Sequence, residues 1–314
     1  MIICCGEALI DMVPSGKGGN SFLARTGGSP YNTAIAAARL GSRTRFLGRM
    51  GTDFLADSLF DKLADNGVDT GLVIRRDQPT TLAFVQRTAS GDARYAFYSN
   101  GAADRSFAAT DLPANLGMGA RFLMTGSISL LQEPIGTSIE ALIARESASI
   151  LVSIDPNVRP SLVVDRLPYI ERLLRCVSKA AIVKASSEDL EWLFPELAPE
   201  YRYKPFLDAG TELVVETRGA EGAIARTRKL EVHAKAFAVT VADTIGAGDT
   251  FHAAFLYCLD EAGIATRHEL ADLDEASLAR FLMFSQAAAA LDCEKVGAEP
   301  PILAEVKRFL EASK

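Results

Sequence analysis

Short apolar runs alternate with segments of helical period along most of this chain, and that alternation limits its fold more than any other feature. Ile2–Cys5, Thr44–Leu47, Arg121–Met124, Ile150–Ile154, Ala181–Lys184 and Glu212–Glu216 read as buried strands, short and rich in aliphatic residues. Between and after them, Tyr31–Leu40, Phe54–Asn66, Pro134–Ala148, Pro168–Cys176, Ser187–Leu193 and the Ala-rich Ala276–Leu291 carry apolar residues at helical spacing. Strands separated by helices pair in parallel, and a parallel sheet must be covered on both faces. The pattern predicts a three-layer α/β/α core around a mostly parallel sheet.

One region breaks the rhythm. Thr80–Arg87 and Ala93–Ser99 read as extended, with Ser90-Gly91-Asp92 as turn chemistry between them. Asp11–Pro14 offers another extended piece. These predict a small β-strand lid built from about residues 11–25 and 80–100, covering a ligand or making a contact between copies. A plain edge hairpin is the alternative. Leu82, Phe84, Tyr95 and Phe97 are read as an alternating apolar outer face suited to a homodimer. With no repeat or long linker, residues 1–314 are expected to form one domain with this lid.

Composition narrows the function. Hydrophobic residues make up 48% and charged residues 23%, ordinary for a globular protein with a sizeable core. A net charge of −7 argues against nucleic acid and anionic membrane as partners, so an anionic ligand must be met by local donors. The five cysteines contain no Cys-x-x-Cys pair and read as reduced core residues. The three histidines have no metal-binding spacing; His252 stands out only for its nearness to Asp249. No apolar run approaches the ~18 residues of a membrane span. The first residues lack a basic segment and turn acidic at Glu7, so a cytoplasmic protein is expected.

Asp243-Thr244-Ile245-Gly246-Ala247-Gly248-Asp249-Thr250-Phe251 places small residues where a helical pattern begins. A helix N-terminus presents unpaired N–H groups and a positive dipole end to an anion, and glycine leaves the approach open. Asp249 in the first turn could take a proton from a hydroxyl while that end holds a phosphoryl group; a simple dipole partner is the alternative. Gly27-Gly28-Ser29-Pro30-Tyr31-Asn32 precedes a second helix, with Ser29 read as its N-cap and Gly41 as its stop. Asn32 supplies both donor and acceptor, as a sugar hydroxyl requires. Neither a P-loop nor an early G-x-G-x-x-G is present, which weighs against a nicotinamide oxidoreductase.

Together these segments resemble the PfkB/ribokinase family of sugar kinases, and within it the fructokinases. The resemblance rests on residues 243–256 and 27–34, on Phe46–Asp53, on Gly6–Pro14, on Asp155-Pro156-Asn157-Val158-Arg159-Pro160, and on Gly297-Ala298. It implies a ribokinase-like fold and transfer of the γ-phosphoryl group of MgATP to a sugar hydroxyl, fructose first. Asp249 would be the general base and Gly246, Ala247 and Gly248 the anion hole. Asp11, Gly27, Gly28, Asn32, Phe97 and Arg159 would hold the sugar. Lys184, Ser186, Thr217, Gly219, Gly222 and Gly248 would meet the nucleotide, with adenine near Ala287 and Ala288. The stretch matching the family's Asn-x-x-Glu reads Lys184-Ala185-Ser186-Ser187-Glu188-Asp189, so Mg²⁺ would be approached through water by Asp189 or Glu188, depending on the register. A monovalent cation such as K⁺ is implied near Asp243, Ile245 and Gly297. Other readings stay open. 2-Keto-3-deoxygluconate would need a cation for its carboxylate, from Arg94, Arg105 or Arg159, and a nucleoside would need an aromatic slot, from which the single Trp192 lies away. A catalytically silent binding protein would have been favoured by loss of Asp249.

Overall fold

In the computed structural model, which describes residues 1–15, 21–87 and 93–313, strand β1 (Ile2–Cys5) has no solvent-facing side. Ile2 and Cys4 enter one apolar core while Ile3 and Cys5 enter another across the sheet. Such a strand requires a layer on each face. The remaining strands are β2 (Leu9–Pro14), β3 (Phe22–Gly27), β4 (Thr44–Met50), β5 (Asp69–Arg75), β6 (Leu82–Arg87), β7 (Ala93–Tyr98), β8 (Phe122–Gly126), β9 (Leu151–Asp155), β10 (Ile182–Ser186), β11 (Leu213–Thr217), β12 (Ala223–Arg226) and β13 (Glu231–Ala234). Nine of them form one sheet in the order β13-β12-β11-β10-β9-β8-β1-β4-β5. Pairing is parallel from β5 through β11, and β12 and β13 finish the edge antiparallel.

The helices are α1 (Ser29–Arg39), α2 (Phe54–Asp65), α3 (Ile135–Glu146), α4 (Arg166–Val177), α5 (Ser187–Leu193), α6 (Lys204–Ala209), α7 (Ala247–Glu261), α8 (Arg267–Ala271), α9 (Glu275–Cys293) and α10 (Leu303–Ala312). Helices α1, α2, α7 and α9 bury their apolar sides with Ile2, Cys4, Phe122 and Met124. Helices α3 to α6 cover the other face with Ile3, Leu123 and Val152. This is the expected three-layer α/β/α arrangement around a mostly parallel sheet. Ala287 and Ala288 are fully buried in the first of these cores, so packing accounts for them. No helix among the described residues is long and apolar enough to cross a membrane.

Strand β5 and the β12–β13 hairpin were not foreseen. β5 lies at a sheet edge with a mostly half-exposed side, and β12 and β13 are four residues each, too short for alternation to show. One cap was misassigned. Gly28, at φ 110°, is the N-cap of α1, and Ser29 is already its first helical residue. Gly41 ends that helix as expected, with φ 98°.

The lid is a second sheet in the order β3-β2-β6-β7. It is mixed: β2–β3 and β6–β7 are antiparallel, while β2–β6 is parallel. The Ser90-Gly91-Asp92 turn, residues 16–20 of the expected lid and the Arg94 side chain lie outside what the structure describes. The assignment of Leu82, Phe84, Tyr95 and Phe97 to one face is corrected. Register pairs Leu82 with Tyr98 and Ala83 with Phe97, so Tyr95 and Phe97 face inward with Ala83 and Val85. Leu82 and Phe84 share the outer face with Tyr98. Side chains alternate along each strand, and the antiparallel register placed the two strands one residue out of phase with the sequence reading.

Candidate active site

A cavity of about 630 Å³ opens between the lid and the C-terminal ends of the parallel strands. Its rim comes from Glu7 after β1, Ser127 and Ile128 after β8, Asn157 and Arg159 after β9, and Lys184 in β10. The lid contributes Leu9, Asp11, Val85, Tyr95 and Phe97, and the segment from Val241 to Asp249 closes the other side. Open α/β sheets bind ligands at this end, where the strands release their chains into loops. Ser127 (φ 53°) and Asn157 (φ 36°) are the non-glycine residues in the left-handed region among the described ones, and both line the cavity. Backbone strain of this kind is characteristic of functional loops.

Helix α7 begins immediately after Gly246, whose φ of 88° gives the chain its turn. The first-turn N–H groups have no partner within the helix and form an anion-attracting end. Gly246 and Gly248 line the cavity; Ala247 sits between them outside its lining. A Cβ on Gly246 would press to 2.6 Å from the Ala298 Cβ, and one on Gly248 would stand 3.0 Å from Lys184 Nζ. Lys184 is buried and donates to Asp155 Oδ2 at 2.8 Å. Burial alone would lower its pKa, but Asp155 outweighs it and the net shift is upward, so Lys184 remains an ammonium beside the helix end. Beneath it His252 is fully buried, its Nε2 2.7 Å from Ser153 Oγ, and burial pushes its pKa down to about 3. His252 is therefore a neutral packing residue.

Asp249 lies in the first turn of α7, 7% exposed, with one oxygen bound to each of two side chains from α1. Ser29 Oγ donates to Oδ1 at 2.6 Å and Asn32 Nδ2 donates to Oδ2 at 2.9 Å. Burial pushes the Asp249 pKa up to about 6, against the lowering effect of those two hydrogen bonds. Asp11 faces the same space from β2, and burial pushes it up to about 7 although Arg159 pulls the other way. The twin glycines have a local cause. A Cβ on Gly27 would run into the Asp11 carboxylate, and one on Gly28 would lie 2.7 Å from the Glu7 carbonyl. Gly28 lines the cavity and Gly27 buttresses Asp11 behind it.

Tyr95 and Phe97 stack with centroids 5.8 Å apart, and the Arg159 guanidinium lies 5.4 Å from the Tyr95 ring centre. Asn157 orients that arginine, accepting from Nη1 through its Oδ1 at 2.6 Å and its carbonyl at 3.0 Å. Asp243 accepts from the N–H groups of Thr244 (2.8 Å), Ile245 (3.3 Å) and Gly297 (3.1 Å), tying the approach to α7 onto the loop after α9.

Several expected residues stand elsewhere. Asp189 does not line the cavity: its Oδ2 caps Ser186 and its Oδ1 accepts the Val158 N–H at 2.7 Å. Glu188 is exposed on α5, and Ser186 is that helix's N-cap. Thr217 and Gly219 lie outside the lining, and a Cβ on Gly222 would collide with the Ala234 carbonyl of the neighbouring strand. Arg105 turns to Asn100 Oδ1 at 2.7 Å, leaving Arg159 as the arginine that reaches the cavity among the described side chains. Ser29 was missed because its hydroxyl was assigned to capping, Tyr95 was assigned to a dimer face, and neither Glu7 nor Asn157 was given a role in the site. Asn157 had a visible signal, a polar residue that tolerates left-handed backbone between Pro156 and Arg159.

Comparison with known proteins agrees with this geometry. Residues 1–305 match the pfkB family of carbohydrate kinases. Fructokinase of Rhizobium leguminosarum bv. trifolii is 41% identical over 280 residues, covering 88% of this chain and 85% of that protein. Fructokinase of Xylella fastidiosa with bound ATP superposes with a TM-score of 0.91 at 31% identity, covering 99% of this chain and 98% of that one. Fructokinase of Vibrio cholerae O395 with fructose, ADP and calcium ion superposes with a TM-score of 0.85 at 29% identity, covering 98% of each chain. An α/β/α core, a small lid sheet, a helix end beside a buried lysine and an Asp held at that helix start thus coincide with a match along nearly the whole length: the chain belongs to the pfkB family of carbohydrate kinases.

Proposed function

We propose that the enzyme transfers the γ-phosphoryl group of ATP to fructose, giving fructose 6-phosphate, with residues 1–314 acting as one lidded kinase domain. The observation that carries this is the position of Asp249, between an anion-attracting helix end and a wall of hydroxyl-binding groups. Asp11 and Asn32 hold the sugar hydroxyls, and Phe97 and Tyr95 cover its apolar face and exclude water. Asp249 takes the proton of the reacting hydroxyl, and the resulting oxygen nucleophile attacks the phosphorus. The α7 N-terminus, Gly246 to Gly248, and the Lys184 ammonium meet the charge on the transferring group. Mg²⁺ would accompany the nucleotide and offset its phosphate charge. No cluster of three or more acidic, His or Cys side chains forms a metal cage among the described residues, which fits an ion carried largely by phosphate and water, with Asp155 Oδ1 a buried oxygen lacking a protein partner nearby. The Asp243 loop is the place for a monovalent cation in this reading.

ADP release from MgATP with fructose, 2-keto-3-deoxygluconate, ribose, glucose and adenosine in parallel tests this reading. Efficient turnover with fructose alone is the expected result. A preference for the acidic sugar would favour the second reading, which rests on the Arg159 guanidinium in the cavity. No turnover with any of them would overturn the assignment.

The lid also supports a homodimer. On its outer face Phe22, Phe84 and Tyr98 form an edge-to-face chain with centroids 5.1 and 5.5 Å apart, and Tyr98 is 66% exposed. An apolar cluster on a sheet face is suited to cover by a second copy. Light scattering is expected to give a dimer mass, and Tyr98→Glu to give a monomer; a monomeric parent protein refutes the dimer.

A further inference from the structure

We propose that Ser29, held in place by Glu7, is a positioning residue that fixes the Asp249 carboxylate and sets its acidity. The inference rests on the reading of Asp249 as the base. Ser29 begins α1, yet its hydroxyl does not serve the helix: α1 has a glycine N-cap and no side-chain cap bond. The hydroxyl instead crosses to Asp249 Oδ1 at 2.6 Å, a span of 220 residues in sequence. The Ser29 N–H, one of the first-turn donors with no partner inside the helix, donates to Glu7 Oε1 at 3.1 Å. Glu7 in turn receives the Ser129 hydroxyl and donates its own N–H to Ser129 Oγ at 2.8 Å. All four side chains are buried.

Close packing enforces the arrangement. Gly6 has φ 152°, and a Cβ there would lie 2.6 Å from Pro30 Cγ and 2.7 Å from Ser129 Oγ. The loop carrying Glu7 is therefore wedged between the start of α1 and the turn after β8. Glu7 is a carboxylate facing hydroxyl and amide donors, and burial raises its pKa. Its local effect is to hold the Ser29 backbone by its N–H, and with it the place from which Oγ reaches Asp249. With Asn32 on Oδ2, the carboxylate is gripped at both ends by one helix and cannot rotate about its long axis without breaking a bond. A hydrogen bond to the ionised form lowers a carboxylate's pKa, so Ser29 offsets part of the upward push of burial. The other charged or titratable groups around Asp249 are Cys4 on β1, Asp11 on β2, Tyr95 on β7, Asp155 on β9, Lys184 on β10 and Asp292 on α9. Truncating Ser29 leaves all of them in place.

Ser29→Ala, Ser29→Thr and Asp249→Asn are to be compared by kcat, KM for the sugar, and the pH dependence of kcat/KM, with thermal melts to confirm folding. Ser29→Ala is expected to lower kcat about tenfold or more with little change in KM, and to move the acid limb of kcat/KM to higher pH. Ser29→Thr, which keeps the hydroxyl, is expected to restore the wild-type limb. A wild-type acid limb in Ser29→Ala, with Asp249→Asn inactive, would overturn the inference while leaving the base in place. A limb displaced equally in Ser29→Thr would also overturn it, since the hydroxyl would then not be the cause. Turnover retained by Asp249→Asn would remove the base and this inference together.

Discussion

Asp249→Asn is expected to bind sugar and nucleotide and to lose turnover by about 10³–10⁴-fold. The substitution is close to isosteric, and its carbonyl oxygen can still accept the Ser29 hydroxyl. In the proposed function, what disappears is the basic lone pair that receives the sugar proton. The amide nitrogen would also face Asn32 Nδ2, a donor against a donor, so one contact that now fixes the carboxylate becomes repulsive. The same residue governs pH dependence. Burial holds its pKa at about 6, so the base is ionised above that value and protonated below it. The rate constant kcat/KM should therefore fall about tenfold per pH unit on the acid side of about 6. Steady-state kinetics with isothermal titration calorimetry for both ligands checks the pair of claims. Near-normal turnover in the variant, or a loss confined to KM, would rule out proton abstraction by this carboxylate.

The largest effect on stability is expected at Gly126→Ala. Gly126 ends β8 with φ 154°, and a Cβ there would run into the backbone carbonyl of Asp155 at the end of β9. Backbone cannot swing aside as a flexible side chain can, so the adjoining strand ends must separate. A loss on the order of 4 kcal/mol is expected, at the severe end of single substitutions. Gly41→Ala is the control: it carries φ 98° but meets nothing within 4 Å, and backbone strain of about 1 kcal/mol is its expected cost. Urea denaturation of both variants measures the difference. Comparable losses would show that the left-handed conformation, and not the collision, dominates at Gly126.

The core was legible in the sequence because its strands bury both faces: Ile2–Cys5 can be read as nothing but interior, and it is completely buried. The stop of α1 at Gly41 was legible because it acts within a few residues of itself, whereas the Ser186 to Asp189 stretch, read as an approach to Mg²⁺, is a capping box of α5. Partnerships across the chain were not legible. Ser29 had a sufficient local explanation as a cap, and only the fold shows Gly28 in the cap position, Glu7 on the Ser29 amide and the Ser29 hydroxyl on Asp249. Asp189 shows the converse: a position named through a resemblance is engaged by the Val158 amide and by its own helix start. Tyr95 was placed on the wrong face, and Phe97 was read both onto that face and against the sugar, because alternation gives the period of a strand but not its phase; that is set by pairing with β6.

The lid is assembled from two separate excursions of the chain, β2–β3 and β6–β7, each anchored to the core at both ends. Four covalent connections to the core therefore hold this plate, two for each excursion. The plate carries Asp11, Val85, Tyr95 and Phe97, whereas Lys184, Gly246, Gly248 and Asp249 belong to the core. In the proposed function the lid brings Asp11, Tyr95 and Phe97 to the sugar, while the core supplies Asn32, Arg159 and the groups that meet the phosphoryl group. On that reading, a substitution on the inner surface of the plate changes acceptor preference and leaves the groups that carry the phosphoryl transfer in place.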